Sequence, residues 1–222
     1  MSELKEKLIK SILHSIIIMI ISLFITCLVV MKLSLFLLSM SSIIGVIFLI
    51  TYIKKSYNKE HLIINSRLCM ICVIFIGSVI GKIITLSNLI GIGMGVSIFD
   101  IISFTKIGSK TAISKVMANK KLMWKLIVYG KSFKDKKPIP TKGLGDFLFY
   151  TILLSGIYKI SNNSDFLFYG VCLIFLGCTI NWIIVSFIYN KKWYKGFPAT
   201  FIPFIFVSLI YLGYIDILKV TQ

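Results

Sequence analysis

The sequence predicts an all-α polytopic transmembrane helical bundle of about seven spans, on three observations. Apolar residues make up 57% of the 222 residues and charged residues 15%, whereas soluble domains average about 45–50% apolar and about 25% charged. Mean hydropathy is +0.93. The apolar residues fall into seven runs, each near the roughly 20 residues that a helix needs to cross a bilayer. The basic residues are distributed unequally between the two ends of those runs.

The runs follow in order. The first two, 11–31 and 33–53, meet in a tight turn at Lys32; the next two, 67–86 and 88–105, meet just beyond Lys82. The first run passes into the second without a small-residue cleavage site, so it is expected to stay in the mature chain. A basic connection, 106–142, then leads to runs at 143–160, 166–190 and 197–217. This divides the chain into a four-span part (1–105), a cytoplasmic loop (106–142) and a three-span part (143–222).

With the N-terminus inside, the cytoplasmic segments carry Lys5, Lys7 and Lys10, then Lys54, Lys55, Lys59 and Arg67. Eleven lysines of the long loop and Lys191, Lys192 and Lys195 bring the total to 21. Four basic residues, Lys32, Lys82, Lys159 and Lys219, fall on the other side. Positive charge is retained on the cytoplasmic side of short loops, so N-terminus in and C-terminus out is expected. The net charge of +17 therefore fits topology and attraction to anionic lipid headgroups. No nucleic-acid partner is expected, because no module that reads RNA or DNA is visible.

Apart from residues near the ends of the runs (the boundary lysines, His14, Arg67 and Asp216), the charged residues inside the spans are Asp100 and Asp146. An aspartate near the bilayer centre costs about 2.5–3.5 kcal/mol on insertion scales, which makes it a functional candidate. Asp100 lies six residues before Lys106 and Asp146 four residues after Lys142. At about 1.5 Å rise per residue, both reach about 6–9 Å below the same face. Two carboxyls at one depth are able to share a proton, one serving as base toward water and the other as acid toward the leaving group. The structural alternatives are that Asp146 complements a helix N-terminus and that Asp100 bonds Ser97 or Ser103.

The flanking residues carry a resemblance. Gly143-Leu144-Gly145-Asp146-Phe147, continuing as Leu-Phe-Tyr, resembles the GxGD motif of presenilins and signal peptide peptidases. Phe99-Asp100 is similar to the aromatic–aspartate pair of the preceding span in that family, and Phe197-Pro198-Ala199-Thr200 resembles its Pro-Ala-Leu element. Thr200 departs from the usual Leu, and two N-terminal spans of the usual plan are missing. The resemblance covers roughly 90–204. It implies an aspartyl protease that cleaves peptide bonds within transmembrane helices or signal peptides, as a short prokaryotic-type member in the cell membrane. It assigns catalysis to Asp100 and Asp146, with support from Phe99, Gly143, Leu144, Gly145, Pro198, Ala199 and Thr200. Its partners would be membrane-embedded peptide or protein substrates and the lipid bilayer, with a homo-oligomer left open. Neither a metal nor another cofactor is expected.

Residues around the motifs have physical roles of their own. Gly143 and Gly145 let backbone approach Asp146 closely, while Gly91, Gly93 and Gly95 thin the fourth span for helix packing. Pro198 breaks regular helix bonding beside the carboxyls. Lys136-Lys137-Pro138-Ile139-Pro140 is either a strand edge for pairing with an unwound substrate or a solvated linker. Ile113, Val116, Met117, Leu122, Met123, Trp124, Leu126 and Ile127, at spacings of three and four, predict an interfacial helix over about 109–130, either a gate or a connector.

Other features are assigned no chemistry. Cys69 and Cys72 form a single CxxC inside an apolar span, and Cys27, Cys172 and Cys178 are taken as small apolar side chains. His14 and His61 receive no role, and Asn162-Asn163-Ser164 is a short sequon match on the outer side. Two other functions compete. A prepilin-peptidase-like leader peptidase also uses a GxGD aspartate, but follows it closely with a lysine, where this chain has Phe147-Leu148-Phe149. A proton-coupled transporter would relay protons through the two carboxyls, yet has no need of the Pro198-Ala199 element, and no inverted repeat supports it.

Overall fold

In a computed structural model, which describes residues 3–55, 61–103, 119–132, 137–191 and 198–220, the chain is mostly helical. Its elements are α1 (Glu3–Lys32), α2 (Leu35–Lys54), α3 (Leu62–Ile83), α4 (Leu86–Ser103), α5 (Lys120–Lys125), β1 (Ile127–Lys131), β2 (Pro138–Gly143), α6 (Leu144–Ser161), α7 (Ser164–Ile188) and α8 (Phe201–Val220). Five helices, α1 to α4 and α7, are long and apolar enough to cross a membrane; in α8 the described apolar stretch, Phe201–Tyr211, is shorter. The remaining long helix, α6, carries Asp146, Thr151, Ser155 and Lys159 among its apolar residues.

That polarity is tolerated because α6 is the centre of the bundle, packed by α3, α1, α7, α4 and α8. Phe147, Tyr150, Leu153, Leu154 and Ile157 are all but fully buried. Gly77 and Gly81 of α3, one turn apart, let its backbone come against α6: a Cβ on Gly81 would stand 2.5 Å from the Ile152 carbonyl oxygen. The small-residue approach is locked by a hydrogen bond, since Ser155 Oγ donates to the Ser78 carbonyl at 2.7 Å. Across the bundle the Tyr211 hydroxyl donates to the Leu153 carbonyl at 2.8 Å.

Two helices are peripheral. α2 lies on α3 and buries Leu38 and Gly45. α4 buries Leu89, Gly93 and Ser97, a single stripe at four-residue spacing that faces α8 and α6. Of the three α4 glycines, Gly93 meets the Phe204 ring, where a Cβ would clash at 2.1 Å, while Gly91 and Gly95 face open space. Close packing therefore falls on one glycine rather than three.

Several element ends differ from the sequence expectation. α3 begins at Leu62, so Arg67 stands inside the helix. α8 begins at Phe201, leaving Pro198 in the turn before it; Pro203 occupies its first turn, where no backbone donor is lost. Asn162, with φ of 46°, ends α6 in the left-handed conformation, and Asn163 caps α7 by accepting from the Asp165 N–H at 2.7 Å. The Asn162-Asn163-Ser164 triplet is thus a helix–helix turn.

Lysines near helix ends bond exposed carbonyls rather than only marking boundaries. Lys82 Nζ donates to Leu33 O at 3.1 Å, and Lys159 Nζ to Ile84 O at 3.0 Å. Lys125, 7% exposed, donates to the carbonyls of Tyr52, Ile53 and Lys55 at the end of α2. Each cation satisfies acceptors that a helix C-terminus leaves open.

The basic connection is the main correction. Its portions 106–118 and 133–136, with Ile113, Val116, Met117 and Lys136, lie outside the described residues, but from Lys120 the expected interfacial helix gives way after six residues to a hairpin. β1 and β2 pair antiparallel, with Tyr129 opposite Pro140 and Lys131 opposite Pro138. Ile127-Val128-Tyr129 is β-branched and aromatic, which favours a strand, and Val128 and Tyr129 are buried. Neither outer edge is open at its centre: Tyr129 N–H donates to Ser66 Oγ of α3, and Ser11 Oγ of α1 donates to the Pro140 carbonyl. Pro138 to Pro140 therefore belong to a strand paired with β1 and tied to α1, rather than to a solvated linker. His14 fastens this hairpin to α1, its ring nitrogens lying 2.8 Å from Lys10 O and 3.0 Å from Lys131 O.

Candidate active site

Gly143 is both the last residue of β2 and the N-cap of α6. The hairpin holds it there, because the Leu144 N–H donates to Leu126 O at 2.8 Å and the Leu144 side chain enters the core. Asp146 is then the third residue of α6, half-buried, and its carboxylate reaches back to the Gly143 N–H. A residue at this position commonly bonds its own cap, so the structural role foreseen for Asp146 is realised. A Cβ on Gly143 would lie 3.8 Å from Asp146 Oδ2, while one on Gly145 would meet nothing within 4 Å. The face of α6 at Gly145 is therefore open.

Asp100 stands three residues before the end of α4, also half-buried. It bonds neither Ser97 nor Ser103: the Ser103 hydroxyl donates to Phe99 O. Instead Asp100 Oδ2 accepts from the Thr200 N–H at 3.0 Å and from Thr200 Oγ1 at 2.8 Å. A Leu at position 200 would keep the first of these bonds and lose the second.

The turn Pro198–Thr200 is fixed from its other side by α6 and α7. Ala199 O accepts from the Tyr150 hydroxyl and from Asn181 Nδ2, each at 2.9 Å. Tyr150 follows Asp146 by four residues, on the same face of α6. Lys142, 8% exposed, extends its ammonium to the Tyr150 hydroxyl at 3.2 Å and to Cys178 Sγ at 3.1 Å. The same ammonium lies over the rings of Tyr150 and Trp182, 4.9 and 5.3 Å from their centroids. Asp146 lies within electrostatic reach of both Lys142 and Asp100.

The structure joins two of the sequence elements directly, Asp100 with Thr200. The third, at the start of α6, reaches the same turn through Tyr150, which follows Asp146 by one helical turn and bonds Ala199 O, while Leu144 anchors the start of α6 in the core. Phe99 stands apart, 60% exposed on the outer face of α4. Four residues were not foreseen as part of the site: Lys142, Tyr150, Cys178 and Asn181. In the sequence Lys142 serves topology and Cys178 is a small apolar side chain, whereas in the fold both carry polar contacts. A polar Asn181 within an apolar span, and a Tyr150 one turn after Asp146, were the available signals. Cys69 and Cys72 are free thiols at the α2–α3 contact, where Gly45 abuts Cys72.

Among known proteins, no family model and no curated protein matches the chain.

Proposed function

We propose that this chain is a GxGD-type intramembrane aspartyl protease, seven-spanning with its N-terminus cytoplasmic and C-terminus outside, in a prokaryotic cell membrane. Its substrates are peptide bonds within transmembrane helices or signal peptides. The observation that carries the proposal is the pair of bonds from Thr200 to Asp100, in a turn held from the other side by Tyr150 on the Asp146 face of α6. A transporter would need two carboxyls but not a polar turn bonded to one of them.

In the reaction, the ionised carboxyl of the pair takes a proton from water as its oxygen attacks the scissile carbonyl carbon. The protonated carboxyl gives its proton to the carbonyl oxygen, forming a gem-diol. Breakage of the C–N bond follows as the now protonated carboxyl gives its proton to the departing nitrogen while the other carboxylate takes a proton from a gem-diol hydroxyl, so that a carboxylic acid and an amine leave and the pair again holds one shared proton. Thr200 orients Asp100, the α6 N-terminus orients Asp146, and the Lys142 ammonium balances negative charge beside them. Water and unwound substrate enter on the open Gly145 side.

The test is cleavage of a labelled single-span peptide by the purified chain in vesicles. Asp100→Asn and Asp146→Asn are each expected to lower the rate by about 10²–10⁴-fold, the range of a lost acid–base group, with the fold retained by thermal denaturation. Wild-type cleavage by either variant refutes the assignment of that residue.

A further inference from the structure

At the end of the bundle that carries the candidate carboxyls, but on its opposite flank, α1, α3 and the hairpin enclose a cavity of about 550 Å³. One wall is a strip of α1, Ile17, Ile21 and Ile25, whose four-residue spacing runs about 12 Å along the helix axis. Met70 and Ile71 of α3 face it. These residues are apolar throughout, and Ile17 and Ile21 are each 47% exposed, so the trough opens toward the surroundings of the bundle.

Its upper rim is of another kind. Arg67, Lys131 and Ser132 close the cavity where α3 begins and β1 ends. Arg67 and Lys131 are exposed, and His14, tied to Lys131 O at 3.0 Å, fixes the distance between rim and trough. Arg67 is the single arginine among the chain's 25 basic residues. A planar guanidinium presents paired donors that match a phosphate, which a lysine ammonium does not. The chain uses lysine wherever only charge is required and places its arginine here.

We propose that this cavity is a binding site for an anionic phospholipid, with the phosphate on Arg67 and Lys131 and one acyl chain laid along Ile17, Ile21 and Ile25. The order of the residues matches the order of the ligand. Charge lies at the bundle end, where headgroups lie, and apolar wall lies deeper, where chains lie. A peptide helix fits less well, because its apolar surface is not headed by a compact double acceptor. The assignment does not depend on proteolysis, yet occupancy would bear on it: Gly130, Lys131 and Ser132 belong to the hairpin whose second strand ends at the cap of α6.

The full-length chain, purified in detergent and observed intact by native mass spectrometry, tests the site by titration with palmitoyl-oleoyl phosphatidylglycerol and with the phosphatidylcholine of the same chains. One phosphatidylglycerol per chain is expected to be retained at roughly thirtyfold lower concentration than phosphatidylcholine, the ratio that about 1 kcal/mol from each of two basic residues near an anionic headgroup gives. Arg67→Gln with Lys131→Gln should erase that preference, and Ile21→Trp should displace both lipids. Equal retention of the two lipids by the wild type overturns the proposal, as does a preference that survives the double substitution. Competitive displacement of phosphatidylglycerol by a single-span peptide would assign the trough to polypeptide instead.

Discussion

The two helices that carry the aspartates are built in opposite ways. α6 is enclosed on nearly every face, gripped by the glycine approach of α3 and bonded to Ser78 and Tyr211. α4 touches the bundle along one stripe, with Asp100 at the end of that stripe bonded to the turn before α8. The helix that carries one carboxyl is thus fixed in the core by packing, and the other carboxyl is held by two hydrogen bonds from a neighbouring turn. Loss of either contact type should therefore damage the site by a different route, one through stability and one through geometry.

The largest effect that separates the two is on the α6 side. Gly81→Leu places a side chain where 2.5 Å is available, and overpacking of this kind costs about 1–3 kcal/mol or more; thermal denaturation should shift down and cleavage should fall with it. A variant as stable as the wild type would mean that α3 and α6 are not so closely joined. Thr200→Val tests the other helix. It removes the hydroxyl donor to Asp100 and keeps the N–H, so cleavage should drop about tenfold, the value of one bond to a carboxylate, with little change in denaturation.

A smaller effect distinguishes positions within α4. Gly93→Ala meets the Phe204 ring and should weaken the α4–α8 contact by about 1 kcal/mol, unless the ring moves aside. Gly95→Ala meets nothing and should leave stability unchanged or raise it by up to about 1 kcal/mol, because alanine is the better helix former. Opposite signs at two positions half a turn apart would establish that the stripe is one residue wide; equal signs would break the contrast between α4 and α6.

The membrane class and the approximate helix positions were legible because hydrophobicity over twenty residues outweighs local detail. Asp100 and Asp146 were legible for the converse reason, as carboxyls where the surroundings are apolar. Boundaries moved where a single charge had been read as a helix end, as at Arg67 inside α3, and where specific bonds hold a turn, as at Pro198 outside α8. The hairpin was hidden because Leu122 to Ile127 has helical spacing, and only the partner strand, eleven or more residues later, selects extended backbone for Ile127 onward. The Lys142–Tyr150–Cys178 contacts were hidden for a similar reason. A lysine at a span boundary serves topology equally well whether it points to water or into the bundle.

No slack separates the hairpin from the candidate acid. Since one residue, Gly143, closes the strand and starts the helix, Asp146 sits only three residues further, about 4.5 Å along the axis. Mechanically the strand is the long arm of a lever and the carboxylate rides on the short one. Whatever seats or tugs the two-stranded ribbon is felt at that oxygen as a rotation, without any intervening coil to absorb it.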